Sequence, residues 1–143
     1  MKRKAADIDK YVFIPEKRAA LGELKKHTEE KGERFVFFDK NNFPKGNVYI
    51  ITRRVKNIRK PYSSALPRKH KVDSIMLFLG FGKNLKGLKI KLLLGDREKM
   101  YESPVGLYVP KNTRCSYTII SGSGLYFKIL PRVPRGDYNK VTY

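Results

Sequence analysis

The sequence contains a single cysteine, no tryptophan and no long run of apolar residues. One cysteine, Cys115, cannot form an intrachain disulfide, which is typical of proteins kept in a reducing cytoplasm. No apolar segment approaches the roughly 20 residues that a membrane-spanning helix requires. The first residues are basic, but Asp7 and Asp9 fall where a secretory signal would be apolar. These absences predict a cytoplasmic protein without a membrane span.

Acidic residues are also scarce. The chain has 13 Asp and Glu against 32 Lys and Arg, which gives a formal net charge of +19, and residues 40–72 contain no acid. Such a charge attracts nucleic acid and small phosphorylated or carboxylated molecules. Five cations of this stretch form a candidate polyanion surface: Arg53, Arg54, Lys56, Arg59 and Lys60. Because no nucleic-acid-binding motif accompanies them, we expect non-specific binding, and an ordinary solvated surface is the alternative.

The length of 143 residues suits one domain with its own core. We expect an N-terminal arm at residues 1–14, a domain at residues 15–132 and a polar, aromatic tail at residues 133–143. Pro15 suits the first turn of a helix and Gly32 its end, so residues 16–31 are predicted to be helical. Short stretches rich in Val, Ile, Tyr and Phe then predict about eight strands: 34–39, 47–55, 72–79, 88–94, 99–102, 105–109, 115–121 and 125–130. This order predicts a mainly β protein, a sandwich or barrel with one N-terminal helix.

Residues 60–132 also carry an order of features that resembles the two conserved motifs of the cupin superfamily. The first motif of that family has two histidines, then a glutamate, and a glycine after six further residues. Here Arg68 stands at the position of the first histidine and His70 at that of the second. Ser74 takes the place of the glutamate, and Gly80 matches the glycine.

The second cupin motif, Pro-x-Gly-x-x-His, is altered in the same way. Pro110 is kept, Asn112 replaces the glycine and Cys115 stands in place of the histidine. Asparagine tolerates the left-handed turn that the glycine would provide. The resemblance implies a cupin-like jelly-roll β-barrel or sandwich whose metal-binding motifs are degenerate.

The resemblance further implies a pocket inside the barrel. Because side chains of a strand alternate between its two faces, Arg68, His70 and Ser74 share a face and Asp73 does not. Cys115 begins a later strand that would cross the pocket. The predicted ligand pocket therefore comprises Arg68, His70, Ser74, Cys115, Tyr117 and Tyr126.

Only two of these side chains, His70 and Cys115, are good transition-metal ligands. A metal in such a pocket requires three or four, and the permanently charged Arg68 would repel it. We therefore predict no cofactor beyond a weak transition-metal site on these two residues. Cys115 also suits a small buried apolar position or, beside His70, a nucleophile.

Three functions remain open. The favoured one is binding of a small carboxylate or phosphate compound in the barrel, without catalysis or in a metal-independent reaction, with Arg68 replacing the charge of the metal. The second is a metal-dependent cupin enzyme, a dioxygenase or a sugar or acid isomerase, that uses His70 and Cys115. The third is a basic protein that binds nucleic acid or another polyanion. The apolar residues 11–14 of the arm suit either a homodimer contact or packing against the chain's own sheet.

Overall fold

The computed structural model describes residues 8–20, 23–27, 31–63 and 65–143. These residues form antiparallel strands and short 3-10 helices, and none of their helices is long and apolar enough to cross a membrane. The strands are β1 (Glu16–Lys17), β2 (Glu33–Phe38), β3 (Tyr49–Ile58), β4 (Ser74–Gly80), β5 (Leu88–Leu94), β6 (Arg97–Glu102), β7 (Val105–Val109) and β8 (Cys115–Leu130). The 3-10 helices are Ile8–Lys10, Pro44–Gly46, Lys83–Leu85, Pro134–Gly136 and Tyr138–Val141. The prediction of a mainly β chain is confirmed.

Strand β8 pairs with three other strands, β3, β4 and β5, and so links the two parts of the sheet. The strands lie in the order β1-β2-β3-β8-β4-β7, and β5 also pairs with β8 and carries β6 on its far side. The second half of β8 lies between β3 and β4, whereas its first half pairs with β5. Burial alternates residue by residue along β4, so one face of the strand lies in the core. The fully buried core residues include Met76, Phe78, Leu88, Ile90 and Leu130.

The sequence predicts two separate strands at residues 115–121 and 125–130, but β8 continues through residues 122–124 without interruption. Gly122 has a φ angle of +107°, and a Cβ added to it would lie 1.8 Å from the carbonyl oxygen of Gly87. A Cβ at Gly124 would lie 2.2 Å from the carbonyl oxygen of Leu79. The glycines are therefore required by close backbone neighbours at the point where β8 exchanges one set of partners for another.

The helix predicted for residues 16–31 is wrong for the described part of that range, which forms β1, turns and an isolated bridge. Residues 21, 22 and 28–30 lie outside the described residues. The amide of Arg18 donates to the carbonyl oxygen of Arg34, and its guanidinium binds the carboxylate of Asp39. Helix propensity contributes roughly a few tenths of a kcal/mol per residue. These contacts with β2 and the loop after it therefore decide the conformation.

The arm packs partly against the sheet. The Phe13 ring contacts the rings of Phe38 and Phe43, with centroid separations of 5.1 and 4.9 Å. Its apolar neighbours Val12 and Ile14 remain exposed. Residues 1–7 of the predicted arm lie outside the described residues.

The segment predicted as a tail contributes to the core. Val133, Tyr138 and Val141 are buried among the side chains of the sheet. The amide of Lys71 donates to the carbonyl oxygen of Val141, and the amide of Tyr143 donates to that of Lys69. Residues 141–143 therefore run beside the chain that leads into β4.

Candidate functional site

Arg68 and His70 lie in the segment that leads into β4, and Ser74 is the first residue of that strand; all three enter the interior. Arg68 is 4% exposed, His70 1% and Ser74 0%, whereas Asp73 is only partly buried. Two backbone hydrogen bonds of 2.8 and 3.0 Å fix Arg68 against Cys115, the first residue of β8. This pairing places the guanidinium group inside the fold rather than at its surface.

The guanidinium of Arg68 is buried without a carboxylate partner. Its Nε and Nη1 atoms have no hydrogen-bond partner among the described residues. The titratable groups that act on it include the phenols of Tyr138, Tyr126 and Tyr117 and the thiol of Cys115. Burial raises the pKa values of the Tyr126 and Tyr138 phenols, so neither of them is negatively charged at neutral pH. Because arginine stays protonated and a buried unpaired charge is costly, an anion is the partner that this side chain requires.

Arg68 lines a small cavity in the interior, which we call the inner cavity. Its volume is about 10 Å³, and no lining residue is an acid in the described part of the chain. The cations and phenols that line it include Arg34, Arg53, Arg68, Lys128, Tyr126 and Tyr138. The ring of Tyr126 stacks on Phe78 at a centroid separation of 5.1 Å, and its hydroxyl has no partner among the described residues. The inner cavity is therefore a positively charged space with aromatic walls.

Lys128 is the second buried cation of the inner cavity and is 2% exposed. Its Nζ atom lies 3.5 Å from the Oγ atom of Ser74, a long hydrogen bond. Burial, and after it the charge of Arg68, lowers the pKa of Lys128 to about 7. An anion in the cavity would favour the charged form of this amine.

His70 is held by a side chain from the end of the described chain. Its Nδ1 atom lies 2.9 Å from the Oγ1 atom of Thr142, whereas its Nε2 atom has no partner among the described residues. Burial, and after it the charges of Lys128 and Arg68, lowers the pKa of His70 to about 2. The imidazole is therefore neutral at physiological pH.

These residues do not fit a transition metal. Within the residues that the structure describes, no three side chains of His, Cys, Asp or Glu lie together. The imidazole of His70 is under the influence of two cations, which would also repel a metal ion. The thiol of Cys115 is packed in the apolar core. Among the described residues, His70 and Cys115 thus have no further metal ligand beside them. The charges near His70 are positive, whereas a metal site needs neutral or negative ligands.

Arg68 also lines a larger pocket at the surface, which we call the outer pocket. Its volume is about 470 Å³. Three further cations line it and are exposed: Lys26, Lys69 and Arg114. The Tyr143 hydroxyl donates a 3.0 Å hydrogen bond to the Oδ1 atom of Asn112 at its rim. Arg68 is therefore the residue common to this basic surface pocket and the small basic inner cavity.

Only some residues of the candidate polyanion surface are exposed to solvent. Arg53 is 2% exposed, lines the inner cavity and donates a 3.0 Å hydrogen bond to the carbonyl oxygen of Lys31, so its assignment to that surface is wrong. The reason is strand alternation, because Arg53 lies on the core side of β3 with Ile51 and Val55. Arg54 forms an ion pair with Glu33. The exposed members are Lys56, Arg59 and Lys60.

Sequence reasoning missed three important residues of the inner cavity. Lys128 lies two residues after the predicted pocket residue Tyr126, so the period of two would have placed it on the same face. Arg53 is found by the same rule along β3. Tyr138 lies outside any strand and carries no periodic signal in the sequence.

The comparisons with known proteins identify the fold. No family model and no curated protein matches the sequence. Among solved structures, KdgF from Halomonas sp. superimposes with a TM-score of 0.53 at 13% identity, over 80% of this chain and 92% of that one. The polyketide cyclase RemF from Streptomyces resistomycificus gives 0.51 at 12% identity, over 92% and 80% of the two chains.

Oxalate decarboxylase from B. subtilis gives a TM-score of 0.52 at 12% identity over 91% of this chain. The match covers only 32% of the oxalate decarboxylase chain. These neighbours are cupin-superfamily proteins, so the chain has a cupin fold, as the motif resemblance implied. At these identities the likeness concerns the fold alone.

Proposed function

We propose that this cupin-fold protein binds a small organic anion, a carboxylate or a phosphate compound, in the outer pocket, with Arg68 as the anchor. The observation that supports this most directly is the guanidinium of Arg68, which lines a basic pocket and has no acid among the described lining residues beside it. A planar guanidinium can bind a carboxylate or a phosphate through two parallel hydrogen bonds. The anion then neutralises a charge that no acid among the lining residues neutralises.

The dimensions and the lining of the outer pocket suit a compound of this class. Its volume of about 470 Å³ falls within the range of small-molecule sites, roughly 300–1,000 Å³. Lys69 and Arg114 lie at the exposed side of the pocket and supply further positive charge. Lysine and arginine are hydrogen-bond donors only, as an anion requires. The ring of Tyr143 offers an apolar surface for the rest of the ligand.

Binding without a metal is the function that these residues support. In the motif positions where a cupin would carry metal ligands, this chain has Arg68, His70, Ser74 and Cys115. The guanidinium supplies a fixed positive charge in place of a metal ion. Ser74 is engaged by Lys128, and Cys115 packs in the core, so neither is directed at the outer pocket.

The test is a thermal-shift and calorimetric screen of the purified protein with citrate, succinate, inorganic phosphate and glycerol 3-phosphate. We expect at least one of these anions to raise the Tm and to bind with a measurable heat. Arg68→Gln should lower its affinity roughly tenfold to a hundredfold, since a hydrogen bond to a charged group contributes about 1.5–3 kcal/mol. Arg114→Gln should lower it by a smaller factor, because that side chain is exposed.

The matched control is Lys56→Gln, which removes an exposed cation that does not line the pocket. It should leave the affinity unchanged at constant ionic strength. Equal losses for Arg114→Gln and Lys56→Gln would mean that the anion binds to the general positive field, and the proposal would be abandoned. The Arg114 comparison remains valid if Arg68→Gln does not fold.

A further inference from the structure

We propose that the inner cavity is a second and separate site, which binds a monatomic anion such as chloride between Arg68 and Lys128. Arg68 borders both spaces, so anions in the two sites would share its charge, but each site also has a cation of its own. The two spaces share only Arg68 among their lining residues. Lys128 belongs to the inner cavity alone, and Arg114 belongs to the outer pocket alone.

The charge of the lining is the first argument. Arg34, Arg53, Arg68 and Lys128 line the inner cavity, and the described lining contains no acid. Arg34 is partly compensated, because Glu23 lies 3.6 Å from its Nη1 atom and the Tyr49 hydroxyl accepts from its Nη2 atom at 2.8 Å. Arg68 has no acid beside it. Arg68 is permanently charged, and a negative charge beside Lys128 would keep that buried amine protonated, so both groups favour an anion between them.

The hydrogen-bond donors around the cavity give the second argument. The Nε and Nη1 atoms of Arg68 and the hydroxyl of Tyr126 are buried and have no partner among the described residues. The ammonium of Lys128 has three hydrogens and one long hydrogen bond to Ser74. An anion accepts hydrogen bonds from several of these donors at once.

The volume of the inner cavity limits which anions can bind there. A volume of about 10 Å³ is close to the roughly 10–15 Å³ that one water molecule needs. A monatomic anion fits after a small adjustment of the long cationic side chains. A carboxylate or phosphate compound does not fit without opening the fold. A water molecule would fit, but it would leave the permanent charge of Arg68 uncompensated.

The experiment measures thermal unfolding as chloride replaces methanesulfonate at constant ionic strength and pH. Above saturation, each tenfold increase in chloride should raise the Tm of the wild type by roughly 3–5 °C. In Lys128→Met, which removes the charge and keeps a side chain of similar length, the Tm should no longer depend on chloride. In Arg114→Gln the chloride dependence should persist, because this residue does not line the inner cavity.

Crystals soaked in sodium bromide provide the direct observation. We expect an anomalous peak between the guanidinium of Arg68 and the Nζ atom of Lys128, and no such peak in Lys128→Met crystals. A water molecule at that position in the wild type, or a chloride dependence that Lys128→Met retains, would overturn the proposal. The proposal for the outer pocket is tested with a different variant, Arg114→Gln, so the outcomes of the two tests can be told apart.

Discussion

The Nδ1 atom of His70 lies 2.9 Å from the Oγ1 atom of Thr142, whose hydroxyl donates a 2.8 Å hydrogen bond to the carbonyl oxygen of Tyr138. A hydroxyl has one hydrogen, and here that hydrogen is used on the carbonyl group. The Nδ1 atom of the neutral imidazole must therefore be the donor, which leaves the Nε2 atom as an acceptor. A residue from the end of the described chain thus determines the tautomer of the single histidine that the cupin motif retains.

Removal of this hydroxyl should destabilise the protein. In Thr142→Val the Nδ1–H group of His70 becomes a buried donor without an acceptor, which costs roughly 1–3 kcal/mol. The loss should be visible as a lower midpoint of urea unfolding at pH 7, with an unchanged slope. Thr142→Ser keeps the hydroxyl and should lose less. Equal stability of the valine and serine variants would contradict the assigned hydrogen bond.

A methyl group at the centre of β8 should be poorly tolerated. Gly124→Ala places a Cβ 2.2 Å from the carbonyl oxygen of Leu79, so the backbone of β4 or β8 has to move. We expect a loss of more than about 2 kcal/mol in the free energy of unfolding. In the control, Gly106→Ala, the Cβ meets the flexible end of the Leu77 side chain at 3.1 Å, and the loss should stay below about 1 kcal/mol. A similar loss in both variants would argue against a close approach specific to β8.

The exposed cations at the end of β3, Lys56, Arg59 and Lys60, should bind polyanions weakly and without sequence preference. The triple variant Lys56→Gln, Arg59→Gln, Lys60→Gln should reduce the slope of log K against log salt by roughly 2–3 in a heparin or duplex-DNA titration. A control triple variant near the start of β3 changes Lys45, Arg132 and Arg135, which are also exposed. Equal effects of the two triple variants would place the interaction in the overall charge rather than in this surface. Strong discrimination between DNA sequences would contradict a non-specific role.

The sequence predicts the sheet better than the site, for a physical reason. Strand alternation and turn residues are local signals, so they predict most strands and the shared face of Arg68, His70 and Ser74. That this face lies inside the barrel was implied by the resemblance to cupins. The same rule, applied to Lys128 and Arg53, predicts two more residues of the inner cavity.

Long-range contacts explain what the sequence does not predict. Thr142 and Tyr138 reach His70 only because residues 141–143 run beside residues 69–71, and no local pattern encodes that pairing. The prediction of a helix at residues 16–31 is wrong for the same reason. Its residues favour a helix locally, but Arg18 instead binds Asp39, a residue distant in the sequence.

The last prediction concerns acid stability, and it follows from the neutral state of His70. In the folded protein, burial and the charges of Lys128 and Arg68 lower the pKa of His70 from 6.5 to about 2. The pKa of His27 is lowered to about 4, by burial first and by the charge of Arg68 second. Between these values and pH 6.5 the unfolded chain binds protons that the folded chain does not bind. Stability is therefore lost as the pH falls below 6.5.

Each histidine should contribute a slope of about 1.4 kcal/mol per pH unit to the free energy of unfolding between pH 6 and 4.5. His70→Gln keeps a polar side chain for Thr142 and should remove about half of the combined slope. His27→Gln is the matched variant and should remove the other half. The measurement is urea unfolding at several pH values in this window. Carboxylates begin to be protonated near its lower end, but they contribute equally to the wild type and to both variants, so the difference in slope isolates each histidine. A full slope in His70→Gln would mean that the folded protein protonates His70 at its ordinary pKa. The burial of His70 near Lys128 and Arg68 would then be wrong.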